Sequence, residues 1–354
     1  MKEVGKDDWD RVYNGCGQDE HFLRHKWFEI WAKNNNSIEY ECYIDNDDRI
    51  AVFPHFFKKI GFLNFISIAG YFYPHRGIPN NGLSEENINQ TVSFLNKIKF
   101  LAAFHLGPVK KSDVFISALL ETLKDKKWKV ISSTTGYDFG RDVPENYDDY
   151  LATISKNRKK QLNRRKRNLE KLGNITFEYH RDLTEEGWNT IINELEEVEN
   201  KAWISKTGSS YFIGNEKQQF WNGLMQDGWY RKAFSVWMIY IDNKPISFFS
   251  AMDLGKQRFV FASSYDQNYA HYNVGTLLET ELIKYSIEDD DVNFLNVGPG
   301  EFGYKEVWGY KEFQEICRFF VFPPTVIGRT TYYGVIISNL LKGWVKNIRG
   351  LFKK

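Results

Sequence analysis

Cysteine is scarce and scattered. Cys16, Cys42 and Cys317 stand alone, with neither a CxxC pair nor Cys/His ligand spacing, which argues against a disulfide scaffold and a structural zinc site. No run of about 18 apolar residues is present to cross a bilayer. The opening Met1-Lys-Glu-Val-Gly-Lys-Asp-Asp8 lacks a secretory apolar segment, so a cytoplasmic protein is expected. Net charge is nearly absent at +1, and no overall field draws nucleic acid or a membrane. Acid is missing locally as well: no Asp or Glu follows Glu315.

What is present fits a folded chain of 354 residues with room for two domains, 42% hydrophobic and 26% charged. Aromatics reach 17%, which fits bulky cores or, alternatively, stacking surfaces for sugars or bases. The segment Arg258–Lys305 organises the reading. Arg258–Ser264 reads as a buried strand, Tyr265–Asn273 as a polar loop, and Val274–Glu288 as a helix with Leu277, Leu278, Leu282, Ile283 and Ile287 on one face. Val292–Val297 reads as a second strand, ended by Gly298-Pro-Gly-Glu-Phe-Gly303. A strand–helix–strand of this length implies two parallel strands and a right-handed crossover. The helix N-terminus, with the N–H groups of Asn273, Val274, Gly275 and Thr276, would attract a phosphate.

Earlier in the chain, helices are predicted over 22–33, 85–97 and 113–125. Strands are predicted over 38–44, 49–54, 62–68 and 100–106. Tyr43-Ile-Asp-Asn46, followed by Ile50 and Phe53, is echoed at Tyr240-Ile-Asp-Asn243, Ile246 and Phe249. Two copies of one α/β unit are therefore expected, dividing into residues 1–142 and 143–325, with a basic tail over 326–354. Lys156, Arg158, Lys159, Lys160, Arg164, Arg165, Lys166, Arg167 and Lys171 crowd one predicted helix ending at Gly173. It either follows phosphates of RNA or a nucleotide carrier, or is a solvated helix seated on Leu162 and Leu169. In the tail, Ile337, Leu341, Trp344, Ile348 and Phe352 form one stripe and Lys342, Lys346, Arg349 and Lys353 another. That suits an anionic membrane surface, or packing against the protein or a partner.

Ser155-Lys-Asn-Arg-Lys159, Arg164–Glu170, Glu199-Asn-Lys-Ala-Trp203, the hairpin Tyr240–Met252, Tyr265-Asp266, Gly275-Thr-Leu-Leu278 and Gly298–Lys305 occur in order. Together they resemble the CelD (cellulose-biosynthesis) type of acetyltransferase in the GNAT superfamily, related to the Fem aminoacyl transferases. The resemblance extends into the first half through Trp27, Arg49–Pro54 and Ile66–Gly70. It implies an α/β (α+β) fold: two tandem GNAT-like units with mixed, partly parallel sheets flanked by helices, and a C-terminal amphipathic helix. It also implies acyl transfer from acetyl-CoA or another acyl-CoA, without a metal, to an amine or hydroxyl. An amino sugar or a glycan or lipid-linked precursor of polysaccharide or cell-envelope synthesis is the implied acceptor, at the inner face of a membrane. Two departures stand out: Tyr272-Asn-Val-Gly-Thr276 keeps a single phosphate-loop glycine, and Asn296 replaces an acidic residue. A Fem-like enzyme using aminoacyl-tRNA, or a GNAT-like scaffold without catalysis, are the alternatives.

Acyl transfer requires an uncharged nucleophile, stabilisation of an oxyanion and a proton donor for the leaving group. N–H groups near Ala262–Ser264 are candidates for the thioester carbonyl. Tyr304 is the candidate acid, and Asp266 and Glu279 are the candidate bases. Lys305, Lys201 and Trp203 are candidates for binding the acceptor. A core aromatic, a turn carboxylate and surface lysines are the structural alternatives.

Overall fold

The computed structural model describes residues 9–10, 12–13, 21–35, 39–44, 49–70, 75–300 and 303–351; side chains at 21, 34–35, 40, 42–44, 304 and 339–351 also lie outside the description. The first half runs α1 (His25–Asn35), β1 (Glu39–Ile44), β2 (Ile50–Ile60), β3 (Leu63–Ile68), α2 (Glu85–Lys97), β4 (Leu101–Lys110), α3 (Val114–Asp125) and β5 (Lys129–Asp142). Helices α4 (Tyr147–Thr153), α5 (Lys156–Leu169), α6 (Glu185–Asn200), α7 (Asn215–Met225) and α8 (Gly228–Ala233) follow, with β6 (Ile175–His180) between α5 and α6. The second half closes with β7 (Phe234–Ile241), β8 (Lys244–Leu254), β9 (Gln257–Tyr265), α9 (Val274–Ile287), β10 (Phe294–Pro299), α10 (Tyr304–Val307), β11 (Lys311–Phe322) and α11 (Val326–Leu351).

The two halves repeat one plan. β1–β2–β3–α2–β4–α3–β5 corresponds element by element to β7–β8–β9–α9–β10–α10–β11. β3 and β4 are parallel, as are β9 and β10, each pair joined through a helix. The Asp-Asn motif falls where the repeat predicts, since Asp242 and Asn243 make the two-residue turn between β7 and β8 with φ of 48° and 62°. Both residues tolerate the left-handed region that such a hairpin turn demands. The matching turn Asp45–Asp48 lies outside the described residues.

All strands form one sheet, in the order β1-β2-β3-β4-β11-β5-β10-β9-β8-β7-β6. β11, the last strand of the second unit, lies between β4 and β5 of the first, while β5 lies against β10 of the second. Each unit's final strand thus completes the other's sheet. The boundary expected at 142/143 coincides with the end of β5, but hydrogen bonding runs straight across it. α1 joins the halves as well: Trp27 and Ile30 share a buried cluster with Phe220, Trp221 and Leu224 of α7. The opposite face of β7–β10 is covered by α4, α5 and α9 through Tyr150, Leu162, Leu169, Leu277, Leu278 and Leu282. A third cluster lies under α2 and α3.

Local chemistry sets the helix starts. Ser84, Asp113, Asn146, Ser155 and Thr184 each accept an N–H from the first turn that follows, worth about 1 kcal/mol apiece. The Ser155 cap separates α4 from α5, so the basic run starts at Lys156. β5 and β11 have no counterpart among the strands predicted from sequence. In α11, Val326, Tyr333 and Ile337 are exposed. The remainder of its predicted apolar and basic stripes, Leu341–Lys353, falls where side chains are not described. Among the described residues, no helix is long and apolar enough to cross a membrane.

Candidate functional site

The site begins where two strands part. β9 and β10 pair only over Gln257–Phe259 and Phe294–Asn296. Beyond that, β10 stays with β5 as far as Pro299 opposite Asp138, and β9 stays with β8 as far as Tyr265. A bulge on β9 leaves Phe261 without a counterpart, between Val260 opposite Ala251 and Ala262 opposite Ser250. Bulges bend a strand and re-aim its edge, and this one lies just past the last β9–β10 pair. The result is a V-shaped gap whose β9 edge, including Ala262–Ser264, has no strand partner on the β10 side.

The closed end of the V is pinned by Arg258. Its fully buried guanidinium donates to Asp253 at 2.7 and 2.8 Å, to Asp289 at 2.9 Å, to Ser286 at 2.9 Å and to Tyr179 at 3.1 Å. A buried charge is tolerated when its donors are satisfied in this way. The open end holds the 3-10 turn Gln267–Tyr272 and the N-terminus of α9. Asp266 is 5% exposed and accepts the Asn268 N–H at 2.9 Å, so its carboxylate caps this turn. Of the four N–H groups expected to face a phosphate, two are engaged: Asn273 donates to Ala270 O and Thr276 to Asn273 O, both at 3.0 Å. Val274 and Gly275 remain. Val274 is fully buried, whereas Gly275 is half-buried and a Cβ on it would come only to 3.7 Å from the Tyr265 ring, so Gly275 is the more accessible of the two.

α5 packs against both α9 and the 3-10 turn before it. Leu162 and Leu169 are buried beneath it, whereas Lys156, Lys160, Arg164, Lys166 and Arg167 are exposed. Partial burial and its neighbours Arg158 and Arg164 hold Arg165 below its usual range. The basic helix is thus both seated on core leucines and adjacent to the α9 N-terminus.

Behind the gap lies a buried polar layer. Glu279, in the second turn of α9, is 4% exposed, and burial pushes its carboxyl up to about 8, opposed by the Tyr310 hydroxyl and the charges of Arg158, Lys305 and Arg141. Lys305 is 2% exposed, and its ammonium donates to the carbonyls of Val297, Gly298 and Pro299 at 3.0, 2.8 and 3.0 Å. An ammonium has three N–H groups, so all are engaged in holding the glycine turn. Burial also lowers Lys305 to about 8, with Asp138 and Glu279 opposing. Asn296, standing where an acid was expected, accepts the Gly298 N–H at 2.8 Å and shapes the same turn, where Gly298 has φ 65°. Arg141 donates to the Trp308 carbonyl at 2.5 Å, and Arg158 stacks over the Trp308 ring at 4.4 Å.

Lys201 and Trp203 lie at the rim. Lys201 pairs with Glu197 at 2.6 Å, and its carbonyl accepts from Gln267, which ties the end of α6 to the loop before α9. Trp203 is 54% exposed on the next turn. Tyr304 opens α10 after the glycine turn, but its side chain lies outside the described residues. The structure therefore brings Glu279 and Lys305 together and places Lys201, Trp203 and Asp266 around the loop.

Sequence reasoning missed two groups. Asp138 on β5 is fully buried, 4.0 Å from Nδ1 of His75, and neither carboxylate oxygen has a hydrogen-bond partner among the described residues. Burial raises the Asp138 carboxyl and lowers His75 to about 4. The hydroxyl of Tyr150, buried near Glu279, also lacks a hydrogen-bond partner among the described residues. Asp138 comes to the site only through the exchange of strands, and Tyr150 comes from α4, far from α9 in sequence, so no local motif marks either.

Residues 156–306, less than half of the chain, match the family described as acetyltransferase (GNAT) domain. No curated protein matches in sequence. Among solved structures, FemX is similar with a TM-score of 0.56 at 13% identity, over 90% of this chain and 96% of that one. A conserved protein of unknown function from Bacteroides thetaiotaomicron aligns with a TM-score of 0.55 at 11% identity, over 90% and 98%. L-PGS from Bacillus licheniformis aligns with a TM-score of 0.52 at 12% identity, over 96% and 98%. At these identities the likeness is one of fold. The class follows: a GNAT-type acyltransferase fold built from two units in one chain.

Proposed function

We propose that the chain transfers an acyl group from acyl-CoA to an amine or hydroxyl, on an amino sugar or on a glycan or lipid-linked precursor of the cell envelope. The cellulose-biosynthesis type of GNAT enzyme is the branch its motifs resemble. The observation that carries the reading is the V-shaped gap between β9 and β10, open over the α9 N-terminus and backed by buried Glu279. The N-terminus of α9, reached at Gly275, would hold the donor's phosphate, with the α5 cations adding attraction. The β9 edge past the bulge would donate hydrogen bonds to the thioester oxygen as it becomes an oxyanion. The acceptor's nitrogen or oxygen attacks that carbon and gives its proton to ionised Glu279, the C–S bond breaks, and the departing sulfur takes a proton from Tyr304. Asp266 serves its cap, so Glu279 and Asp138 are the carboxyl groups left for proton transfer. Lys305 keeps the glycine turn in shape, and Trp203 and Lys201 border the acceptor's approach at the cytoplasmic side.

A second reading has aminoacyl-tRNA as donor, as in Fem-type enzymes; the exposed cations of α5 beside the α9 N-terminus favour it. Calorimetric titration with acetyl-CoA separates the two. Saturable binding, lost in Gly275→Trp, supports the thioester donor. No binding by acetyl-CoA or longer acyl-CoA, together with RNA binding that Arg164→Glu/Arg165→Glu abolishes, supports the tRNA donor. Failure of both leaves a scaffold without catalysis.

A further inference from the structure

We infer that the protein docks on an anionic lipid surface through two adjoining turns, the one between β2 and β3 and the one before β4. Three large apolar side chains project there, with Ile60 56%, Phe62 71% and Phe100 56% exposed. The rings of Phe62 and Phe100 meet edge to face, 5.9 Å apart. Lys58, Lys59, Lys97 and Lys99 are exposed around them. Acid is absent from the flanking sequence: none occurs from Arg49 to Ser84 or from Asn87 to Ser112. The half-buried Glu41 on β1 lies within electrostatic reach of Lys97.

The backbone holds this tip in place at a cost. Phe100 has φ 54°, a region that a bulky side chain rarely occupies. Asn64 fastens it there, its backbone N–H donating to Phe100 O at 3.1 Å and its side-chain amide to Lys99 O at 2.6 Å. A strained residue that presents its ring to water needs another phase for that ring. Aromatic and aliphatic tips enter the headgroup boundary of a bilayer while flanking lysines reach lipid phosphates. Single-stranded nucleic acid is held in grooves, and this surface is a pair of exposed turns, which favours lipid.

The placement of the tip has a consequence for the site. β4 runs antiparallel to β11, β11 to β5 and β5 to β10, whereas β9 and β10 are parallel. The N-terminal ends of β3 and β4 therefore lie at the end of the sheet toward which the V-shaped gap opens. Docking by this tip needs no particular acyl donor, and vesicle binding is measured without reading activity.

The test is sedimentation of the full chain with vesicles of phosphatidylcholine alone or mixed with phosphatidylglycerol. Binding is expected only to the mixed vesicles and should weaken with salt. Removing lysine charge should cost roughly five-fold per residue, so Lys58→Glu/Lys59→Glu should lose about 25-fold or more. Phe62→Ser/Phe100→Asn should lose at least about ten-fold. Asn suits the left-handed backbone at position 100, so this variant keeps its fold by circular dichroism. No binding by the parent chain overturns the inference, as does undiminished binding by both variants, which would move docking to α11. RNA binding without vesicle binding, lost in the same variants, also overturns it.

Discussion

Replacing Glu279 with glutamine isolates the buried charge behind the gap. In the folded chain Glu279 keeps its proton up to about pH 8, whereas an unperturbed Glu releases it near 4.5. Between those values the folded state binds more protons than the unfolded state, so stability falls as pH rises. At ~1.36 kcal/mol per pH unit, the loss across the window is about 5 kcal/mol at most. Lys305 works in the opposite direction over a different window. Its folded value of about 8 lies below the ordinary 10.5, so stability recovers as pH rises from 8 to 10.5, by up to about 3 kcal/mol. The two windows meet near pH 8, where the parent chain should be least stable. The glutamine of Glu279→Gln has nearly the same volume, never ionises and still offers polar atoms to Tyr310. Urea unfolding followed by tryptophan fluorescence from about pH 5 to about pH 8 should show the parent chain losing roughly 3–5 kcal/mol that the variant retains. Parallel pH slopes for the two proteins would refute the assignment of a buried, proton-holding Glu279.

Asp138→Asn makes a related test on the other strand of the seam. Burial raises this carboxyl, so its ionisation costs stability as pH rises above 3.8; the variant should be at least as stable as the parent at neutral pH while the rate of acyl transfer falls, and an unchanged rate would remove Asp138 from proton transfer. The exchanged strands predict that residues 1–142 expressed alone are insoluble, since β4 loses its β11 partner and Trp27 and Ile30 lose α7, and that co-expressed 143–354 restores solubility. Gly107 probes the same junction: its φ is 138°, and a Cβ placed there would lie 2.9 Å from both the Arg318 Cα and the Cys317 carbonyl oxygen. Gly107→Ala should therefore lower the unfolding free energy in urea by roughly 2–4 kcal/mol.

What the sequence disclosed follows from how local each signal is. The β9–α9–β10 unit was legible because its apolar spacing, its polar Tyr265–Asn273 loop and its glycine turn all lie within one stretch. The repeat was legible because Tyr-Ile-Asp-Asn recurs at Tyr43 and Tyr240, each time followed by Ile and Phe at matching spacing. β5 and β11 were not. Residues 132–135 of β5 are Ser-Ser-Thr-Thr and exposed, and β11 opens with Lys311-Glu312-Phe313 exposed, so neither shows the alternation of a half-buried strand. Their stability comes from long-range partners: β5 is paired by β10 and β11, and β11 by β4 and β5. Side-chain pattern records burial of side chains and is blind to backbone pairing of this kind. The site residues divide in the same way. Glu279 and Lys305 sit in the legible unit, whereas Asp138, His75 and Tyr150 arrive from outside it.

That division bears on why the units are interlocked. An isolated second unit would have β10 ending at an open edge beside its own gap, and an open edge invites pairing with other chains. β5 closes that edge as far as Pro299 and delivers Asp138, Phe139 and Arg141 to the glycine turn held by Lys305. The first unit is therefore a structural part of the second unit's candidate site. Its own parallel pair, β3 and β4, points the other way along the sheet and leaves its N-terminal turns, with Phe62 and Phe100, on the side where the gap opens. One strand exchange thus explains three observations together: the buried carboxyl that no motif announced, the polar strands that no alternation marked, and the exposed aromatic tip at the mouth end of the sheet.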